Sequence, residues 1–178
     1  MSGPRDDLEA FDRVRRRVLW SMPGGLYLLG SRVGDERNLM TISWVTQVAT
    51  EPKLVAVSVE HSALTHRLVA EGGAFSLSTV AREDRAIVRR FVKPAAQDRQ
   101  LGPAEGATVT LNGFAVTEAV TGAPILAQAV AWLDCRVWGS VDASSHTVFV
   151  GEVVAAGFNR AEDTPVLRME DTRMSYGG

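Results

Sequence analysis

Cysteine is almost missing from the 178-residue chain: Cys135 stands alone. That excludes an intrachain disulfide framework and any multi-cysteine metal cluster. Histidine is nearly as scarce, with only His61, His66 and His146. The first two stand five apart rather than at the i, i+4 spacing of a helical metal pair, so the spacing points away from a metal site. No apolar run approaches the roughly 18 residues of a membrane-spanning helix. An excess of one charge is missing too. The net charge is −2, which provides no global basic field for nucleic acid. Lysine is reduced to Lys53 and Lys93 against 17 arginines, a bias that carries no mechanism by itself. Neither a Gly-x-Gly-x-x-Gly fingerprint nor a Gly-x-Ser-x-Gly elbow occurs.

What remains is ordinary globular composition, 46% hydrophobic and 22% charged. The length predicts one domain over 1–178. The N-terminus stays charged through Arg17, unlike the apolar centre of a signal peptide. The expectation is a soluble cytoplasmic protein with neither nucleic acid nor membrane as partner.

Leu8, Phe11, Arg15 and Val18 follow helical spacing within a predicted helix over Asp6–Leu19. Its run Arg13, Arg15, Arg16 and Arg17 reads as a solvated face near the C-terminal end of the helix dipole. Pro23-Gly24-Gly25 then stops it. Strands are predicted over Leu26–Arg32, Asn38–Val48 and Lys53–Glu60, joined by short connections as an antiparallel meander. Ser62–Glu71 reads as a short helix ended by Gly72-Gly73, Ala74–Val80 as a strand, and Arg82–Val92 as a second helix. Ala95–Gly113 offers few core residues and reads as a surface excursion, a lid or partner-contacting loop. Two long strands, Ile125–Val141 and His146–Phe158, form a hairpin about Asp142-Ala143-Ser144-Ser145. Many strands, few helices and no βαβ alternation predict a closed or partly closed antiparallel barrel.

Two polar clusters admit a structural and a functional reading. Thr41, Ser43 and Gln47 share one face of the Asn38–Val48 strand. They are either a solvent-facing edge or a hydroxyl strip for a flat, acceptor-rich ligand. Ser62 and Thr65 fall at the start of a helix, at its N-cap and N3 positions. They are either a cap or, with free amides and the positive dipole end, a phosphate seat. Lys93 is either the cation of that seat or an ordinary surface lysine. Cys135 lies within a strand and reads as a small buried hydrophobe.

The order Asn38…Met40-Thr41-x-Ser43-Trp44-Val45-Thr46-Gln47…Glu51-Pro52, then Lys53–Val59, then Ser62-x-x-Thr65-His66, resembles the flavin reductase-like, FMN-binding split-barrel family. The stretch His146–Val154 is similar to that family's Asp-His-x-x-Phe-x-Gly-x-Val segment. The resemblance spans roughly Pro23–Tyr176. It implies a mainly β fold, a six-stranded antiparallel split barrel with peripheral helices, and a homodimer with flavin near the subunit interface. It implies that Thr41, Ile42, Ser43 and Trp44 edge the flavin ring, largely through backbone groups, with Ser58 and Val59 close by. Asn38 belongs to the same cofactor-binding set, and Ser62 and Thr65 hold the phosphate. His146 matches a position near the nicotinamide and is the one catalytic candidate. The implied activity is hydride transfer from NADH or NADPH to FMN, or to FAD, with a monooxygenase as a possible recipient of reduced flavin. The alternative is a flavin-binding or electron-transfer module with no NAD(P)H activity of its own. Ser144-Ser145 stand where the family often has Gly-Asp, a departure that favours this alternative.

Overall fold

The computed structural model describes residues 4–101, 107–172 and 174. The terminal Tyr176-Gly177-Gly178 lies outside the described residues. Helix α1 spans Pro4–Trp20 and is followed by strands β1 (Tyr27–Val33), β2 (Glu36–Ile42), β3 (Val45–Thr50) and β4 (Lys53–Glu60). Helix α2 (Leu64–Gly72) and β5 (Ala74–Thr79) follow, then two 3-10 turns, Arg82–Asp84 and Ile87–Phe91. β6 (Gln97–Leu101), β7 (Ala107–Leu111), β8 (Phe114–Thr117) and β9 (Ile125–Leu126) make a small sheet of their own. The long strands β10 (Ala131–Ala143) and β11 (His146–Phe158) come last, before a 3-10 turn at Met169–Asp171.

The main sheet has the order β2-β1-β5-β10-β11-β4-β3, with every neighbouring pair antiparallel. Its two outermost strands, β2 and β3, are consecutive in the chain and separated only by Ser43 and Trp44. Three peptide steps reach about 10 Å at most. The edges of the sheet must therefore meet, and the sheet curls into a barrel that is split at Ser43-Trp44. With β2 and β3 taken as one interrupted strand, this is the expected six-stranded antiparallel split barrel.

The interruption corrects the prediction of one continuous strand over Asn38–Val48. β2 pairs with β1 and β3 pairs with β4, so the predicted meander is two hairpins on opposite sides of the split. Periodicity does not detect the break, because apolar and polar residues keep alternating across it. Three further expectations change. Ile125–Val141 is not one strand: β9 ends at Leu126 in the small sheet, and β10 starts at Ala131 in the main sheet. Arg82–Val92 forms two 3-10 turns instead of a helix, although Ile87, Val88 and Phe91 do face inward and are buried. The predicted excursion Ala95–Gly113 contains a hairpin, β6 paired with β7.

Two apolar cores flank the barrel wall. Inside it lie Leu29, Val57, Val59, Phe75, Leu77 and Phe149. Outside, Leu26, Leu28, Leu39, Val88, Phe91 and Leu126 pack beneath the 3-10 turns and the small sheet. Leu28 and Leu29 are both fully buried because β1 is covered on both faces. Cys135 is buried as expected, and burial, with Asp134 beside it, pushes its thiol pKa up to about 12.

Candidate functional site

The split opens into a cleft of roughly 1130 Å³. That volume is slightly above the about 300–1,000 Å³ usual for small-molecule sites. One wall carries Ser43, Trp44, Val45, Thr46, Ala56, Ser58 and Val148. The facing wall is built from the end of α1 and its following loop, together with the segment from Val166 to Met174. Ser43 and Trp44 stand in the break between the ladders. The Ser58 N–H donates to the Trp44 carbonyl at 3.1 Å, which ties the break to β4. Trp44 is half-exposed, and its ring lies 5.0 Å from that of His146 at a tilt of 53°. This wall is therefore mostly apolar, with hydroxyls at Ser43, Thr46 and Ser58.

The remaining predicted residues divide into exposed and interior sets. Ser43, Trp44 and Ser58 line the cleft, and His146 stands against the Trp44 ring. Ile42 and Val59 are buried and send their side chains into the core, which leaves only their backbone for a ligand. The Thr41 hydroxyl is buried and donates to the Val88 carbonyl at 2.6 Å. Gln47 is exposed and donates from Nε2 to the Ala49 carbonyl. Thr41, Ser43 and Gln47 thus do not form one polar strip, because the strand that would have aligned them is broken.

At the start of α2 the structure moves the cap by one residue. Ala63 is the N-cap and makes no side-chain cap bond, while Ser62 is exposed one residue earlier. Thr65 is accordingly the second helical residue instead of the third. It is fully buried, and its Oγ1 accepts from Asn38 Nδ2 at 2.8 Å. Asn38 Oδ1 in turn accepts from the Ala95 N–H at 2.8 Å. This buried amide draws the segment after Phe91 up to the first turn of α2, placing exposed Lys93 two residues from the tether. In that first turn the His66 N–H already donates to the Ala63 carbonyl at 3.0 Å, while the earlier N–H groups have no intrahelical acceptor, and the dipole favours an anion there.

Sequence reasoning did not connect the three histidines. Glu60 pairs with His146 across β4 and β11, and the His61 N–H donates to the Ser145 carbonyl at 3.0 Å. His61 and His66 rings lie 5.2 Å apart, and His66 Nε2 is 2.8 Å from Thr147 Oγ1. Burial, with His61 beside it, lowers the His66 pKa from its ordinary value. His146 Nδ1 lies 2.8 Å from Ser145 Oγ. The chain's histidines thus gather where β4, α2 and β11 meet, beside the cleft mouth. The pairing of β4 with β11, two strands far apart in sequence, creates this gathering, and short-range spacing carries no trace of it.

The family model described as "Flavin reductase like domain" matches residues 19–177. The "NADH-dependent FAD reductase" of Streptomyces globisporus is 30% identical over 154 residues, covering 86% of this chain and 80% of that protein. The "Putative diflavin flavoprotein A 1" of Thermosynechococcus vestitus is 29% identical over 149 residues. The chain spans about a quarter of the length of the diflavin flavoproteins it matches. Among solved structures, the NADH:FAD oxidoreductase of Streptomyces globisporus C-1027 is similar with a TM-score of 0.71 and 25% identity, over 94% of this chain and 90% of that one. The flavin reductase of styrene monooxygenase from Pseudomonas putida S12 is similar at 0.63 and 25%, over 82% and 87%.

Proposed function

Because the chain belongs to the flavin reductase-like domain family, we propose that it transfers hydride from NADH or NADPH to FMN, or to FAD. The convergence at the split carries this reading: Ser43, Trp44 and Ser58 line the cleft, and the strand that carries Ser58 runs on to Glu60, just before α2. A flavin needs a flat apolar slot with a few hydrogen-bonding groups and, farther along, an anion seat. These residues fit that demand. When bound, the flavin supplies the two-electron acceptor chemistry. Trp44 and the backbone around Thr41, Ile42 and Ser43 would border the ring, with Ser58 and the Val59 backbone close by. Ser62, the first-turn N–H groups of α2 and Lys93 take the phosphate. Thr65 and Asn38 hold that turn in place from inside. His146, beside Trp44, borders the nicotinamide.

The experiment is a spectrum of the purified protein for bound flavin, followed by NADH and NADPH oxidation with and without FMN. Saturable flavin binding with flavin-dependent oxidation is expected. The paired substitution Ser62→Ala with Lys93→Ala should weaken FMN about tenfold, as charged hydrogen bonds are lost. Riboflavin, which lacks the phosphate, should bind both proteins alike. Equal losses for both ligands would remove the phosphate assignment.

The second reading is a flavin-binding or electron-transfer module with no nicotinamide activity. It rests on Ser145, whose hydroxyl engages His146 Nδ1. Flavin binding without NAD(P)H turnover would select it.

We further infer a cytoplasmic homodimer of one domain over 1–178, able to pass reduced flavin to a monooxygenase. No helix among the described residues is long and apolar enough to cross a membrane. Leu8, Phe11, Val14 and Val18 form an apolar stripe along α1 and are 59–69% exposed. Trp138, Val141 and Phe158 are likewise exposed on β10 and β11. Exposed apolar surface of this extent marks an interaction site. A dimer mass by light scattering is expected, and a monomer at micromolar concentration would refute the inference.

A further inference from the structure

The cleft is nearly free of charge. Among the described residues that line it, Arg168 is the only cation and Glu170 the only anion. The backbone of Arg168 is firmly fixed. It bridges to Gly25, and its N–H donates to Asp171 Oδ2 at 2.9 Å. Arg82 Nε holds the same carboxylate oxygen at 3.1 Å. On either side, the Leu167 N–H donates to the Val80 carbonyl at 2.8 Å and the Met169 N–H to the Gly24 carbonyl at 3.2 Å. The guanidinium at the end of this fixed stem is held loosely. Its partner, Glu170 Oε1, lies 3.6 Å from Nη1, and the side chains are 62% and 71% exposed. Such a pair contributes little and is readily exchanged for a better anion.

We propose that Arg168 binds the pyrophosphate of the nicotinamide dinucleotide and thereby determines the preference for dinucleotide hydride donors. The proposal rests on the reductase reading above. The flavin phosphate has its own seat at Ser62 and Lys93, neither of which lines the cleft. With FMN as the bound flavin, an anion that reaches Arg168 therefore belongs to a second molecule. The hydride donor is the other reactant that must enter the cleft, and its pyrophosphate carries two negative charges. A guanidinium suits it by offering paired donors to phosphate oxygens. Glu170 competes for that guanidinium, so its charge opposes donor binding.

The test compares NADH with 1-benzyl-1,4-dihydronicotinamide, which presents the same reacting ring without phosphates, at saturating FMN. In Arg168→Gln the KM for NADH should rise about tenfold, and the ratio of kcat/KM for NADH to that for the benzyl donor should fall by the same factor. Arg168→Lys should recover part of the loss. Glu170→Gln should move the KM for NADH the other way, downward by about two- to threefold. Raising salt should weaken NADH in the wild type more than in Arg168→Gln. An unchanged KM for NADH, or equal losses for both donors, would overturn the proposal. A matching loss of FMN affinity would overturn it too, giving the guanidinium to the flavin. Wild-type protein that binds flavin yet oxidises neither donor would refute the reductase reading itself, and the Arg168 assignment with it.

Discussion

Asn38→Ala is expected to cost about 2–3 kcal/mol of stability, seen as a fall in Tm of roughly 4–12 °C for a chain of this length. Asn38 is only 2% exposed and satisfies a fully buried hydroxyl and a half-buried backbone N–H. Its Nδ2 serves the fully buried Thr65 hydroxyl, and its Oδ1 serves the Ala95 N–H. Truncation leaves both without a partner and releases the tether that holds Lys93 near the start of α2. FMN affinity should therefore fall severalfold while riboflavin affinity changes little, measured at a temperature where the variant is still folded. A double-mutant cycle with Thr65→Val isolates the shared bond. The two losses should combine to less than their sum, because the second substitution removes a partner already lost. Strictly additive losses, or a Tm within 1–2 °C of the wild type for Asn38→Ala, would show that the amide does not hold this junction.

Much of the barrel was legible because its signals are local. The alternation and β-branched residues of Lys53–Glu60, the turn at Ser144-Ser145 between long strands, and Gly73 at φ 65° closing α2 all act within a few residues. The site was legible in part. Ser43, Trp44, Ser58 and Ser62 have exposed or partly exposed side chains. Thr41 and Thr65 look the same in sequence but are interior, because the 3-10 turn at Ile87–Phe91 and the side chain of Asn38 reach them from distant parts of the chain. The break at Ser43-Trp44 was hidden for a related reason. Side-chain period records which face a residue takes and is silent on which strand lies beside it, and here the neighbour changes from β1 to β4 without a change of pattern. Arg168 was invisible altogether. It acquires meaning only when the chain's end folds back along Gly24 and Gly25 to form the cleft's second wall.

Among the described glycines, Gly30→Ala should be the most damaging alanine substitution. Gly30 lies in β1 opposite Ser76 of β5. A Cβ there would stand 1.9 Å from the Pro124 carbonyl oxygen and 2.3 Å from Ser76 Oγ. The Pro124 oxygen is backbone, in a segment held across the barrel by buried polar groups. Ser76 Oγ donates to that carbonyl at 2.6 Å, and Ser78 Oγ accepts from the Leu126 N–H at 3.1 Å. The fully buried Asp134 accepts from the Thr121 N–H at 2.8 Å and from the Thr121 hydroxyl. Ser76, Ser78 and Asp134 are polar strand residues, yet all three are fully buried because this segment covers them. To admit the methyl, the segment must lift, which strands the Ser76 hydroxyl and strains the anchor of a buried carboxylate. Overpacking alone costs about 1–3 kcal/mol, and an unsatisfied buried polar group adds about 1–3. A total of roughly 2–6 kcal/mol is expected, a large share of typical domain stability. Urea unfolding monitored by tryptophan fluorescence measures it. Gly34→Ala provides the control: Gly34 has φ 56° and no atom within 4 Å of a built Cβ, so only backbone strain of about 1 kcal/mol is expected. If the two variants unfold at the same urea concentration, the crossing segment is not locked against β1, and the second wall of the barrel lacks the rigidity that its buried serines imply.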